Sequence, residues 1–103
     1  MSDYALPKHF DPLIHQTSRL SIMAVLAGCE SADFNYLLNV TGLTRGTLSK
    51  HLTKLKEAGY VAIEKSFKGN YPNTSAQLTT EGRRAFQDYR RQYIAFSRTL
   101  NNE

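Results

Sequence analysis

A mainly α domain carrying one small β-hairpin, in the order α-α-α-β-β-α, is the fold class this sequence predicts. Three observations predict it. Residues 43–60, LTRGTLSKHLTKLKEAGY, have the start signal, stop signal and single apolar stripe of a short helix. Over residues 61–79 the apolar period then changes from helical to alternating. Beyond them, Phe86, Tyr89, Tyr93, Phe96 and Leu100 step by three and four, as one face of a last helix does.

Taken in order, Asp11-Pro12 reads as an N-cap followed by proline at the first helical position. The helix is expected to run to about Ala27 and stop at Gly28. Its second half, LSIMAVLA, is apolar nearly all round, which suits a central buried helix. Asp33 can cap a second, shorter helix in which Phe34, Leu37 and Leu38 share a face. Thr41-Gly42-Leu43 turns into the third helix, which Thr44 caps. Leu43 and Leu48 stand at the positions of a hydrophobic staple. Gly59 follows Ala58 where a left-handed C-cap is wanted, with Tyr60 set to fold back on Leu55. Two short helices joined by a glycine-containing turn make a helix-turn-helix over residues 33–58.

Val61, Ile63 and Phe67 alternate with Ala62, Glu64 and Ser66, as in a strand. Lys68 to Asn73 is dense in turn formers, and Thr74 to Thr79 can return with Ala76 and Leu78 inward. A hairpin over residues 60–79 placed after a helix-turn-helix is a wing. Its tip is expected to be basic. Thr79 or Thr80 then caps the last helix, residues 80–100. That aromatic seam is long for so small a domain to cover, so Phe86, Tyr89, Tyr93, Phe96 and Leu100 are read as a homodimer interface. The organisation is thus one winged-helix domain over residues 1–103, with residues 1–10 as an N-terminal arm and Asn101 to Glu103 as a loose tail.

Composition narrows the function. The chain has 103 residues and net charge +4, enough for one modest core. Charge is not spread evenly: residues 1–43 carry −2, residues 44–68 carry +4 and the remainder +2. Positive charge therefore gathers where the third helix and the wing lie. No apolar run approaches the length of a membrane span, and no leader is visible at the start. The lone Cys29 suits a reducing cytoplasm and reads as structural. His9, Asp11 and His15 read as solvated or capping groups rather than a metal site. No nucleophile-base pair or phosphate-cradling glycine motif is present, so neither an enzyme nor a cofactor is expected.

The third helix presents Gly46, Ser49, Lys50, Thr53 and Lys54 outward, with Arg45 and Thr47 in its exposed first turn. A rigid apolar base bearing Arg, Lys, Ser and Thr suits insertion into a groove of double-stranded DNA. Arg45 can donate two bonds to guanine O6 and N7, or clamp a phosphate instead. Lys50 and Lys54 are read as phosphate contacts. Thr47 and Ser49 can bond a base or a phosphate, and His51 is read as a partly buried, satisfied histidine. The rival reading is a protein-interaction adaptor on the same scaffold, which gives no reason for a basic third helix.

The phrases RLSIMAVLAG, DFNYLLNVTGLTRGTLSKHLTKLKEAGYV and LTTEGRRAF occur in this order, and with them the chain resembles the winged-helix transcription regulators of the MarR-like and ArsR-like superfamily. The resemblance covers about residues 11–96. It implies a homodimer whose recognition helices enter successive major grooves of a pseudo-palindromic operator. The function expected is that of a cytoplasmic transcription regulator, a repressor in the first place, whose operator occupancy blocks or assists polymerase. On that resemblance Thr44, Arg45, Thr47, Ser49 and Lys50 face bases or adjacent phosphates, Lys54 follows the backbone, and Lys68 and Asn70 sit on the wing. The chain is shorter than the larger MarR-like members and lacks the paired cysteines of metal-sensing ArsR-like members. An effector is therefore left unassigned.

Overall fold

The computed structural model describes residues 10–101. Most of the arm of residues 1–10, with His9, and the last two residues of the tail lie outside the described residues. Four helices and a three-stranded antiparallel sheet surround one core: α1 (Thr17–Ala27), β1 (Ala32–Asp33), α2 (Phe34–Thr41), α3 (Arg45–Glu57), β2 (Val61–Lys68), β3 (Tyr71–Leu78) and α4 (Thr80–Asn101). The sheet order is β1-β3-β2.

The first helix is shorter than Asp11-Pro12 suggested. Asp11 does cap a turn, its Oδ1 accepting from the Leu13 N–H at 2.9 Å, but that turn ends by residue 16. A second N-cap, Gln16, then starts α1 by accepting from the Arg19 N–H. The break has a packing reason. It lets Phe10 and Ile14 enter the core beside Ile22, Met23 and Leu26 of α1. Phe10 is ringed by Tyr89 and Phe96, with centroids 5.3 and 5.8 Å away. Tyr60 Oη donates to the free Asp11 oxygen at 2.5 Å, and this bond to an anion pushes the tyrosine pKa up to about 12.

Both ends of α3 follow the sequence signals. Thr44 Oγ1 accepts from the Thr47 N–H at 3.2 Å. At the other end the Tyr60 N–H donates to Leu55 O and the Gly59 N–H to Lys56 O, each at 2.9 Å. Gly59 has φ +84°, a left-handed conformation that costs an L side chain strain but glycine nothing. Leu48, Leu52 and Leu55 bury the inner stripe.

Asp33 departs from its expected role. It holds the N-cap position of α2 but makes no side-chain cap bond. It belongs instead to β1, a two-residue strand whose Ala32 and Asp33 pair with Ala76 and Ser75 of β3. Two residues are too few for an alternating pattern to show. β3 also begins earlier than Thr74, because the two-residue turn Gly69-Asn70 lets Lys68 pair directly with Tyr71. The pairs Val61–Leu78 and Ile63–Ala76 form the inner face of the hairpin.

Thr79 caps α4, its Oγ1 accepting from the Gly82 N–H at 2.9 Å. The aromatic seam of α4 is divided. Phe86 and Tyr89 are consumed by the chain's own core, 8% and 3% exposed, so they cannot serve as free contact surface. Phe96 is half-buried, whereas Tyr93 and Leu100 remain 50% and 61% exposed. Ile94, outside the predicted seam, is also exposed. Core demand explains the split: Phe10 folds back onto the N-terminal half of the seam and closes it. Among the described residues no helix is long and apolar enough to cross a membrane.

Candidate nucleic-acid interface

Because Leu48, Leu52 and Leu55 fix one side of α3, its outer side is presented rigidly in two stripes. Thr47, Lys50 and Lys54 form one, all exposed. Arg45, Ser49, Thr53 and Lys56 form the other and face the wing. Between this second stripe and the wing lies a groove of about 480 Å³, completed by Lys65 and Thr74 and by residues of the α2 start. Among the described residues it is lined by three cations, Arg45, Lys56 and Lys65, and by no carboxylate. Such a groove, open and without an internal counter-ion, suits a strand of phosphates.

Arg45 is held. Its guanidinium carbon lies 5.6 Å from the centroid of the Phe34 ring, and its Nη2 donates to Asn35 Oδ1 at 3.1 Å. Both partners sit at the start of α2, so the arginine is stacked and aimed rather than loose in solvent. Thr44 is engaged in capping and also donates to Thr47 Oγ1 at 2.9 Å, which ties these two predicted contacts into one unit. His51 is half-buried, and Arg19 Nη1 lies 3.2 Å from its Nδ1. Since arginine only donates, that nitrogen accepts. Burial first, then the charges of Arg19, Lys50 and Lys54, lower the His51 pKa. The imidazole is neutral at pH 7 and braces α3 against α1.

On the wing, Asn70 is exposed in the turn, but Lys68 is drawn back from the tip. Its Nζ lies 2.6 Å from Asp33 Oδ2, while Asn73 Nδ2 donates to Asp33 Oδ1 at 3.3 Å. Asp33 thus latches the wing to the body. These two hydrogen bonds, that of Lys68 foremost, hold the Asp33 carboxyl below the usual carboxylate range. A carboxyl lowered on folding contributes its stability above the unfolded pKa and loses it as pH falls through the lowered value. The latch is therefore closed at neutral pH. Asp33→Ala should release the Lys68 ammonium to the DNA and steepen the slope of log affinity against log salt by about one. Titrations of both proteins at several salt concentrations check this; an unchanged slope would mean that Lys68 takes no phosphate.

Lys56, Lys65 and Asn35 were not singled out from the sequence. Lys56 had a signal: it lies eleven residues beyond Arg45, on the stripe through Ser49 and Thr53. Lys65 had none, because its approach to α3 depends on how the hairpin folds over that helix.

A sequence profile of the winged helix DNA-binding domain matches residues 18–96. The chain belongs to that family. An uncharacterized protein of Methanocaldococcus jannaschii is 35% identical over 88 residues, covering 85% of this chain and 96% of its own. Among solved structures, a transcriptional regulator homologue of Pyrococcus horikoshii OT3 superposes with a TM-score of 0.80 at 26% identity, covering 85% of this chain and 87% of its own. A MarR-family transcriptional regulator of Enterococcus faecalis V583, described as putative, gives 0.71 at 23% identity over 86% and 79% of the two chains; at that identity the likeness is one of fold. In this winged-helix chain α3 is the second helix of the helix-turn-helix and the β2–β3 hairpin is the wing, and the cationic groove lies between them.

Proposed function

We propose that this winged-helix protein is a cytoplasmic, sequence-specific transcription repressor that acts as a homodimer on a pseudo-palindromic operator in double-stranded DNA. The single observation that carries the reading is the groove between α3 and the wing, cationic on both walls and, among the described residues, lined by no carboxylate. A phosphate strand lying there sets α3 in the major groove. Arg45, Ser49 and Thr47 then reach base edges or neighbouring phosphates, while Lys50 and Lys54 hold the backbone on the far side. Thr44 orients the first turn. The exposed Tyr93, Ile94 and Leu100 on α4 support the homodimer, because they leave an apolar strip of the kind that a second copy covers. Operator occupancy excluding polymerase is the mechanism, and it requires no cofactor.

Selection of binding sites from a random duplex pool tests this. Two inverted half-sites about one helical turn apart, roughly 34 Å, are expected. Arg45→Ala should relax preference at one position in each half-site. Lys54→Ala should weaken every sequence alike. Recovery of no common motif would end the claim of sequence specificity; identical behaviour of the two variants would end the division of roles.

A further inference from the structure

The wing tip carries exposed aromatic side chains beside its basic one. Lys68 is paired with Asp33, and the large hydrophobic side chains exposed at the tip are aromatic: Phe67 is 72% exposed and Tyr71 77%. Strand register separates the two. Along the hairpin the pairs Val61–Leu78, Ile63–Ala76, Lys65–Thr74 and Phe67–Pro72 alternate with Ala62–Gln77, Glu64–Ser75, Ser66–Asn73 and Lys68–Tyr71. Alternation puts the first four pairs on one face. That face begins in the core with Val61 and Leu78, lines the cationic groove with Ile63, Lys65 and Thr74, and ends in Pro72 and Phe67. Tyr71 and Lys68 belong to the opposite face, as does Asn73, which bonds Asp33 and also borders the groove at its edge.

The position of Phe67 relative to the groove determines what it meets. If a phosphate strand lies between α3 and the wing, with α3 in the major groove, the next space across that strand is the minor groove. Phe67 and Pro72 then stand over it, one pleat beyond Lys65. An exposed phenylalanine gains free energy by leaving water. The minor-groove floor offers it the apolar faces of a partly opened base step. Glutamate would be repelled there and a lysine would stop at the phosphates; an aromatic ring backed by a rigid proline can go deeper.

Resting on the DNA-binding reading above, we propose that Phe67, supported by Pro72, is an apolar wedge that enters the minor groove beside the held phosphate strand and partly unstacks one base step. The wing then distorts the duplex as well as gripping it, so operator preference includes a flexible step, such as a pyrimidine–purine step, at a position no polar side chain touches.

A topology assay tests the wedge without knowledge of the operator. Relaxed covalently closed plasmid is treated with topoisomerase I in the presence of saturating protein, and the topoisomers are resolved after the protein is removed. Binding to the linearised plasmid is measured in parallel by gel shift. Wild-type protein should leave a ladder shifted by several topoisomers, because unstacked steps are unwound. Phe67→Ala should still bind, within about tenfold, since the burial gained and the unstacking cost nearly offset one another, and should leave no shift. Tyr71→Ala, on the other face, should shift the ladder as wild type does. Folding is not at issue in either variant, as both side chains are exposed. A wild-type protein that binds without shifting the ladder overturns the wedge and leaves DNA binding standing, and so does an unaltered shift in Phe67→Ala. Loss of the shift in Tyr71→Ala overturns the assignment of faces. If wild type binds no plasmid DNA, the DNA-binding reading fails and the wedge fails with it.

Discussion

Gly82→Ala should lower the melting temperature by more than about 10 °C, although the same change in an open helical position would raise it. A Cβ on Gly82 would stand 2.0 Å from the carbonyl oxygen of Tyr60, 2.7 Å from its carbon and 2.9 Å from its Cα. These are backbone atoms and cannot rotate aside. They are also committed: Tyr60 O accepts from the Thr79 N–H at 3.0 Å, and the Tyr60 N–H closes the C-terminus of α3. Thr79 Oγ1 donates to Gly59 O at 2.6 Å while it caps α4 through the Gly82 N–H. One methyl group therefore pushes apart the end of α3, the start of β2 and the start of α4. Helix propensity alone favours alanine by about 0.8–1 kcal/mol. Overpacking against a fixed neighbour costs about 1–3 kcal/mol and occasionally more, and a 2.0 Å approach to backbone belongs at or beyond the upper end. At ~4–8 °C per kcal/mol for a domain of this size, the loss dominates. Gly46 is the internal control. It is helical, and apart from its chain neighbours and its own helix backbone no atom lies within 4 Å of where its Cβ would be, so Gly46→Ala should melt no lower than wild type. Thermal denaturation followed by circular dichroism reads both; a Gly82→Ala protein as stable as wild type would show that the junction yields.

Reversing both lysines of the groove, Lys56→Glu with Lys65→Glu, should reduce DNA affinity by roughly 100-fold or more. On the proposed reading each lysine makes one charge-assisted bond to phosphate, worth about 1.5–3 kcal/mol. Losing two removes about 3–6 kcal/mol at ~1.4 kcal/mol per decade, and the new carboxylates repel the strand as well. Both side chains are exposed and neither makes an ion pair among the described residues, so the fold should be untouched. The milder Lys56→Ala and Lys65→Ala changes should each flatten the salt dependence by about 0.9 in log–log slope. Anisotropy titration with a fixed duplex measures all of them. Unchanged affinity in the double reversal would move the DNA off the groove altogether.

What the sequence disclosed, and what it withheld, divides along the range of the interactions involved. The caps of α3 are local: Thr44, Gly59 and Tyr60 lie next to the backbone groups they satisfy, and the short-range pattern located them. The inner stripe of α3 and the paired face of the hairpin are periodic, hence equally readable. Asp11 misled because a proline-led N-cap looks the same whether it opens a long helix or a single turn; Phe10 and Ile14 entering the core decided between them. Asp33 misled for a related reason. It stood where a cap is wanted, yet its carboxylate bonds Lys68 and Asn73, thirty-five and forty residues away. Phe86 and Tyr89 carried the right spacing for a contact seam, but spacing says nothing of what covers it. Lys65 became part of the candidate site only through the way the wing folds over α3. Side chains near their partners in sequence were legible, and those assigned by tertiary approach were not.

Specific DNA recognition through α3 and the groove beside it is the central claim, and one titration tests it most directly. Wild-type protein is titrated by fluorescence anisotropy against a duplex recovered by selection and against a scrambled duplex of the same composition, at low and near-physiological salt. A preference for the selected duplex that persists as salt rises, while affinity for both declines, is the expected result. Equal affinity for the two duplexes, lost together on adding salt, would contradict it and reduce the groove to a basic surface without a sequence to read.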